Sequence, residues 1–489
     1  MKSFILLSYF ILSLISIYPI NQLPFDDYFR DETMRIDYHH MGNSKEEAIS
    51  IDRIYSYGIW AGSLKNLVDE INFGKYCIKI YDLSSGALIY SKGFDSYFGE
   101  YQTSSDALNG IKKTYHETAL VPYPKNKIRF AIEKRNEKNQ LLEIFSSEID
   151  PGSVDIVNDK VLDSSVKIFK NENNGDPHTR VDIAILGEGY TLDELDKFQK
   201  DFERCTNIFL NFEPYKSYKD KFNFCGVFKP SEESGVDEPR ANIFKKTVLS
   251  LTFNSLGSER YLLTEDNKVV RDIASHVPYD ALIIMANHSR YGGGGIYNLF
   301  ATFTVDNQWN EYLLLHEFGH SFSGLADEYY TSDVAYNNFF HIDIEPVEPN
   351  IAALINNEVK WKELLSNGIE IPTLWEKEQF DSLDLKWQAE RRALNDKIAE
   401  LKKNMAPENE IIKAQYEYDF KDKEHSAEVD EFLHSSKYWG KVGAFEGAGY
   451  QSRGLFRPMV DCLMFSKGKK PFCRVCENAV KRMINSYTE

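Results

Sequence analysis

The sequence predicts a multidomain chain: an N-terminal antiparallel β-sandwich, then an α/β domain interrupted by a helical-hairpin insertion. Three observations carry this. Period-two alternation of apolar and polar residues fills roughly residues 30–150 with no long amphipathic helix between the runs. Two nearly continuous apolar runs follow, the first leading directly into a helical pattern, as in strands buried on both faces of an α/β sheet. A stretch rich in helix formers then occupies residues 376–435.

In chain order, Lys2 precedes an apolar run from Phe4 to about Ile17, and Pro19, Asn21 and Gln22 end it. A charged start, a short apolar core and a polar exit describe a signal peptide over residues 1–20, so the chain is expected to be secreted or displayed at the cell surface. The β domain is expected over 25–152, where "KYCIKIYD" and "KIRFAIEKR" alternate and "SSG" and "PYPKN" supply turns. The connector "KNENNGDPHT" separates it from an α/β domain over 175–489. There "RVDIAILGEGY" reads as a buried strand, and Thr191 with Glu194 forms a capping box for the helix that follows. "YDALIIMAN" is a second buried strand. The four glycines of "YGGGGIYN" lack the Lys-Ser/Thr of a phosphate loop and are followed by a strand rather than a helix, so a substrate-facing edge loop is expected. Leu383, Trp387, Leu394, Ile398, Leu401 and Met405 step at helical spacing, Pro407 breaks the pattern, and a second amphipathic stretch runs from Glu408 to about Leu433. This hairpin is expected to be a structural insertion with a solvated face; a gating or partner-binding arm is the sharper alternative.

The 489 residues carry a net charge of −18, which excludes nucleic acid as the main partner because phosphate binding needs a basic face. Beyond the N-terminus no stretch has the apolar length of a membrane span, and a monomer is expected. Three of the six cysteines, Cys462, Cys473 and Cys476, form a C-x10-C-x2-C cluster. Three thiolates without an adjacent His fall one ligand short of a structural zinc site. A disulfide from Cys462 to Cys473 or Cys476 is therefore expected in an exported chain.

The chemistry concentrates in "HEFGHSFSGLADEYY", residues 316–330. His316 and His320 are four apart and share one face of a helix, and "EYLLL" before them supplies its apolar surface. Two neutral imidazoles bind zinc and leave room for a third protein ligand and a water. Glu317 stands beside the first histidine to take the water's proton. For the third ligand, Gly324 can adopt the left-handed turn that ends a helix and returns the chain. Asp327 is then favoured, with Glu328 as its rival and a glutamate from a distant helix as the remaining alternative.

The motif resembles the metzincin pattern H-E-x-x-H-x-x-G-x-x-H/D, with one extra residue before the glycine and an aspartate in the last place. With "RVDIAILGEGYT", "FKPSEESGVDEPR", "SERYLL", "YGGGGIYN", "VGAFEGAGYQSRGLFRPMVDCLMF" and, in the β domain, "GFDSYFGEYQT", the chain resembles the bacterial M64 metallopeptidases, the IgA-peptidase family. The resemblance implies a metzincin-like zinc endopeptidase with ligands His316, His320 and Asp327 and base Glu317. Metzincins also place a methionine beneath the metal, for which Met464 is preferred over Met459. Tyr450 and Tyr329 are candidate stabilisers of the transition state. Glu446 and Asp461 are expected to be exposed structural acids, with binding of a second metal or a substrate amine as the alternative. The expected function is zinc-dependent hydrolysis of protein or peptide substrates, with immunoglobulin A as one candidate. The alternatives are a non-catalytic adhesion module with structural zinc, against which Glu317 argues, and a zinc amidase, which shares the same water chemistry.

Overall fold

Side-chain alternation builds the N-terminal sheets. In this computed structural model, which describes residues 23–158, 163–171, 175–332 and 339–489, the short helix α1 (Phe25–Tyr28) leads into strand β1 (Phe29–Gly42). Strands β2 (Glu47–Tyr57), β3 (Tyr76–Asp82) and β4 (Leu88–Phe94) follow, then the short helices α2 (Tyr97–Tyr101) and α3 (Ser105–Leu108), then β5 (Lys113–Pro124), β6 (Ile128–Arg135) and β7 (Leu141–Ile149). All pair antiparallel, in two sheets ordered β2-β1-β5 and β4-β3-β6-β7. Met34, Ile36 and Tyr38 of the first sheet and Ile78, Ile80, Phe130 and Ile132 of the second share one core. The residues of the expected signal peptide lie outside those described. Among the described residues, no helix is long and apolar enough to cross a membrane.

The alternate face of β1 is also buried, and it is charged. Arg35 and Asp37 are 1% and 0% exposed. The Arg35 guanidinium donates to both Asp37 oxygens at 2.7 Å, and its Nη1 reaches Asp272 Oδ1 at 2.6 Å. Asp272 belongs to α5 (Asn267–Ala274), so this ion pair joins the N-terminal sheets to the rest of the chain.

The second region is a six-stranded mixed sheet ordered β12-β13-β11-β9-β10-β8. Strand β8 (Lys167–Lys170) is antiparallel at one edge, and β9 (Val181–Glu188), β10 (Phe222–Phe228), β11 (Ala281–Ala286) and β13 (Phe300–Thr304) run parallel. Strand β12 (Gly293–Ile296) is antiparallel at the other edge. The apolar runs are continuous because both faces are covered. Ile183, Ile185, Ile283 and Met285 face a core shared with α4 (Leu195–Asn211), α6 (Asn310–Ser323) and the C-terminal helix α9 (Arg474–Thr488). Ala184, Leu186, Leu282 and Ile284 face the other way, against α5 and the N-terminal aromatics Tyr97, Phe98, Tyr101 and Tyr115. The capping box forms as expected, the Thr191 amide donating to Glu194 at 2.9 Å.

The insertion is a pair of 27-residue helices, α7 (Lys377–Lys403) and α8 (Glu408–His434). Trp387, Leu394 and Tyr418 pack between them, and Phe380, Val429 and Leu433 join the main core. Met405, counted in the apolar pattern, is exposed at the hairpin tip. The chain closes through the β14 (Phe445–Ala448) and β15 (Gln451–Arg457) hairpin into α9.

The Arg35–Asp37 pair makes the junction acid-sensitive. Burial alone would raise the Asp37 carboxyl, but hydrogen bonds from His116 and Arg35 and the Arg35 charge hold it down to about 2. An unfolded aspartate titrates near ~3.9. Its stabilising contribution is therefore complete above that value and is lost as the pH falls through about 2. Asp37→Asn is expected to cost about 3 kcal/mol at neutral pH by leaving a buried guanidinium half-paired. Thermal melts from pH 7 to pH 2 should show the gap to wild type closing as the solution becomes acidic.

Candidate metal centre

The helix α6 is buried almost all round: Leu313, Leu314, Leu315, Phe318 and Phe322 are each at most 1% exposed. Its fourth-neighbour spacing puts His316 and His320 on one face. Each imidazole is oriented from behind. His316 Nδ1 is 3.0 Å from the Leu463 carbonyl and His320 Nδ1 is 2.6 Å from that of Leu325. A carbonyl only accepts, so each Nδ1 carries the proton and each Nε2 presents its lone pair. The two Nε2 atoms are 3.2 Å apart.

Gly324 then takes the left-handed conformation, φ 61° and ψ 29°, its amide bonding back to the His320 carbonyl. Three residues later the chain has returned. Asp327 Oδ1 is 2.9 Å from His316 Nε2 and 3.2 Å from His320 Nε2. The other oxygen, Oδ2, accepts a hydrogen bond of 2.6 Å from the Tyr450 hydroxyl. The structure thus brings Asp327 to the histidine pair, while its neighbour Glu328 turns the other way, towards Cys473 and Cys476.

These donors fit a zinc ion. Among the described residues Asp327 Oδ1 is buried without a hydrogen-bond partner, facing two nitrogens that have no proton to give. Zinc bonds of ~2.0–2.1 Å place tetrahedral donors roughly 3.3 Å apart, close to the separations seen. Without a cation, a proton must join the same atoms. Burial works to lower the His320 imidazole, but Asp327 outweighs it and holds it up to about 9. Burial would also raise Asp327, yet the two histidines keep it well below the usual carboxylate range. Glu317 completes the group, its carboxylate within 4.8 Å of both histidine nitrogens. Burial raises it above an ordinary glutamate.

The glycine run acquires its meaning here. It is not a loop but strand β12, laid against α6. A Cβ on Gly293 would come within 2.8 Å of Glu317 Oε1, and one on Gly295 within 2.3 Å of the Glu317 carbonyl oxygen. Only glycine lets the sheet edge approach the histidine helix this closely. On the helix's opposite side the Met464 sulfur faces Gly319, between the two histidines, where a Cβ would be 3.1 Å away. Met464 is fully buried, whereas Met459 only packs at the edge of the core.

The same cleft is lined by Arg260, Tyr329 and Tyr291, and by Trp387, Arg391 and His425 of the hairpin. The insertion is thus a wall of the site. Arg260 donates to the Tyr329 hydroxyl at 3.2 Å, and its guanidinium lies 5.5 Å over that ring. Burial would lower it, but Tyr329, Tyr291 and Asp327 keep its pKa raised, so it is cationic. Sequence reading passed over Arg260, because a lone arginine in "SERYLL" carries no spacing signal. Of the two acids expected to be exposed, Glu446 is half-buried and accepts from the Gly454 amide. Asp461 is buried, bonded to Ser466 and Lys470, which its short-range sequence did not announce. The expected disulfide is absent: the cysteines are free, and Cys462 Sγ is 3.8 Å from Cys476 Sγ.

Replacing Gly295 by alanine tests the close approach. The new methyl must push β12 off the helix, at an expected cost of about 1–3 kcal/mol. Gly152→Ala, whose Cβ would meet only the Asp150 carboxylate at 3.4 Å, should leave the melting temperature nearly unchanged.

No curated protein matches this chain. A family model described as IgA Peptidase M64 matches residues 170–484. Another, described as Peptidase M64 N-terminus, matches residues 24–146. Together they cover the N-terminal sheets, the mixed sheet, the hairpin and the histidine helix, and the chain accordingly belongs to the IgA Peptidase M64 family of peptidases.

Proposed function

We propose that this chain is an exported zinc-dependent endopeptidase. Residues 25–152 form its β-sandwich domain and residues 175–489 a metzincin-like catalytic domain. The observation that carries the reading is the meeting of His316 Nε2, His320 Nε2 and Asp327 Oδ1 at 2.9–3.2 Å beside Glu317. In this reading His316, His320 and Asp327 hold the ion. A bound zinc supplies a water acidified towards neutrality and a polarised scissile carbonyl. Glu317 accepts a proton from the attacking water as the new C–O bond forms. It returns that proton to the leaving nitrogen as the C–N bond breaks. Its raised pKa suits a group that must take and then release a proton.

The remaining residues have supporting parts. Arg260, backed by Tyr329, faces the cleft and stabilises negative charge on the carbonyl oxygen. The Tyr450 hydroxyl, already bonded to Asp327, acts by orienting that ligand. Met464 braces the underside of the ligand helix, the place a metzincin gives its methionine. Beyond Gly293, whose backbone already pairs with Arg260 and Leu262, strand β12 offers a short sheet edge along which an extended peptide can lie. Immunoglobulin A is the substrate that the family description names, and it belongs in the first substrate panel alongside unfolded proteins and peptides.

The deciding experiment is cleavage-site profiling by mass spectrometry with wild type and Glu317→Ala, with and without a chelator. Wild type should cut, and chelation should abolish the cuts. Glu317→Ala should lower kcat/KM by at least about a hundredfold while keeping its metal. Equal cleavage by wild type and variant would overturn the proposal. Separately, Arg260→Ala should reduce kcat by about 10²–10³-fold with little change in KM, as expected of charge stabilisation confined to the transition state.

A further inference from the structure

We propose a second metal site, formed by Cys462, Cys473, Cys476 and Glu328, that holds a structural zinc ion behind the first. The four side chains come from three separate segments, and their ligand atoms all lie within 4.8 Å of one another. All four are at most 3% exposed. Cys462 Sγ and Cys476 Sγ are 3.8 Å apart, while Glu328 Oε1 lies 3.1 Å from Cys476 Sγ and 3.8 Å from Cys473 Sγ. Thiolates bound to tetrahedral zinc at ~2.3 Å are separated by roughly 3.8 Å, and a thiolate and a carboxylate oxygen by roughly 3.6 Å. A disulfide needs sulfurs about 2.05 Å apart, and it leaves the third cysteine beside a buried carboxylate.

Two further observations point to a cation. Backbone amides aim at the sulfurs: Met464 N and Cys473 N approach Cys462 Sγ at 3.4 and 3.1 Å, and Cys476 N approaches Cys473 Sγ at 3.4 Å. Such donors favour sulfur as thiolate. Among the described residues Glu328 Oε2 is buried with no hydrogen-bond partner, and Asn350 Nδ2 at 3.1 Å is the one nitrogen donor on Oε1. A carboxylate fully withdrawn from water is costly unless it is paired or coordinates a metal. Soft sulfur ligands in tetrahedral array select zinc over magnesium or calcium.

The site braces the catalytic centre. Glu328 follows Asp327 in the chain, and its amide donates to the Met464 carbonyl at 2.8 Å. Cys462 precedes Leu463, whose carbonyl orients His316. An ion here ties the Asp327 segment, the Leu463–Met464 segment and the start of α9 into one unit.

The test counts metal in the purified full chain and replaces zinc with cobalt(II). Wild type should carry two zinc ions per chain, and His320→Ala and Glu328→Gln one each. In the cobalt form, intense near-ultraviolet absorption from thiolate-to-metal charge transfer should appear in wild type and persist in His320→Ala. It should be lost in Cys473→Ser. The readout depends on sulfur ligation, so it stands apart from whether the chain cleaves peptides, and the wild-type spectrum decides even if Cys473→Ser fails to fold. One metal per chain with no thiolate band would overturn the proposal. So would a mass two hydrogens light in the untreated chain, with a Cys462–Cys476 disulfide in its peptides.

Discussion

Everything at the candidate metal centre depends on the chain reversing within one residue of the histidine helix. Gly324 does this by taking a left-handed conformation that a side chain would strain. Phe73 and Tyr297 crowd the place of its absent Cβ, at 3.2 and 3.4 Å. The reversal has two products at once. Leu325 offers its carbonyl to the ring of His320, and Asp327 arrives opposite both Nε2 atoms. A histidine helix that ran one turn further would carry both groups away from the imidazoles.

The consecutive pair Asp327–Glu328 shows how much chemistry one dipeptide can divide. Its two side chains reach different partners. Asp327 faces the histidines and Tyr450, while Glu328 faces the three cysteines and Asn350. The Leu463–Met464 segment has the same double role from below, with one carbonyl on His316 and the next on the Glu328 amide. Two clusters of donor atoms thus share their supports.

What the sequence reveals of this arrangement follows from how local each signal is. His316, Glu317 and His320 lie within one helical turn and a residue, so their spacing alone announces them. The Thr191–Glu194 cap, the alternating strands and the broken helical pattern at Pro407 are likewise short-range and appear as expected. The glycines of β12 mislead because the reason for them is not in their own neighbourhood: it is Glu317 and His320 on the helix they touch. Glu328 is invisible as a partner of the C-terminal cysteines because well over a hundred residues separate them. The hairpin's pattern reveals two helices and a solvated face, but not that Trp387 and His425 look into the cleft, since that depends on where the pair docks.

The N-terminal aromatics have a consequence for how the chain comes apart. Tyr97, Phe98, Tyr101 and Tyr115 complete the cover over one face of the mixed sheet. On the other side of the junction, Arg35 spends its charge on Asp272. The two stretches recognised by separate family models each have a core of their own and share a third between them. Cutting between them would wet the part of the sheet face that those aromatics cover and leave Asp272 without the Arg35 counter-ion. The seam between the two regions is thus a shared interior closed by an ion pair, and each region is expected to stiffen the other.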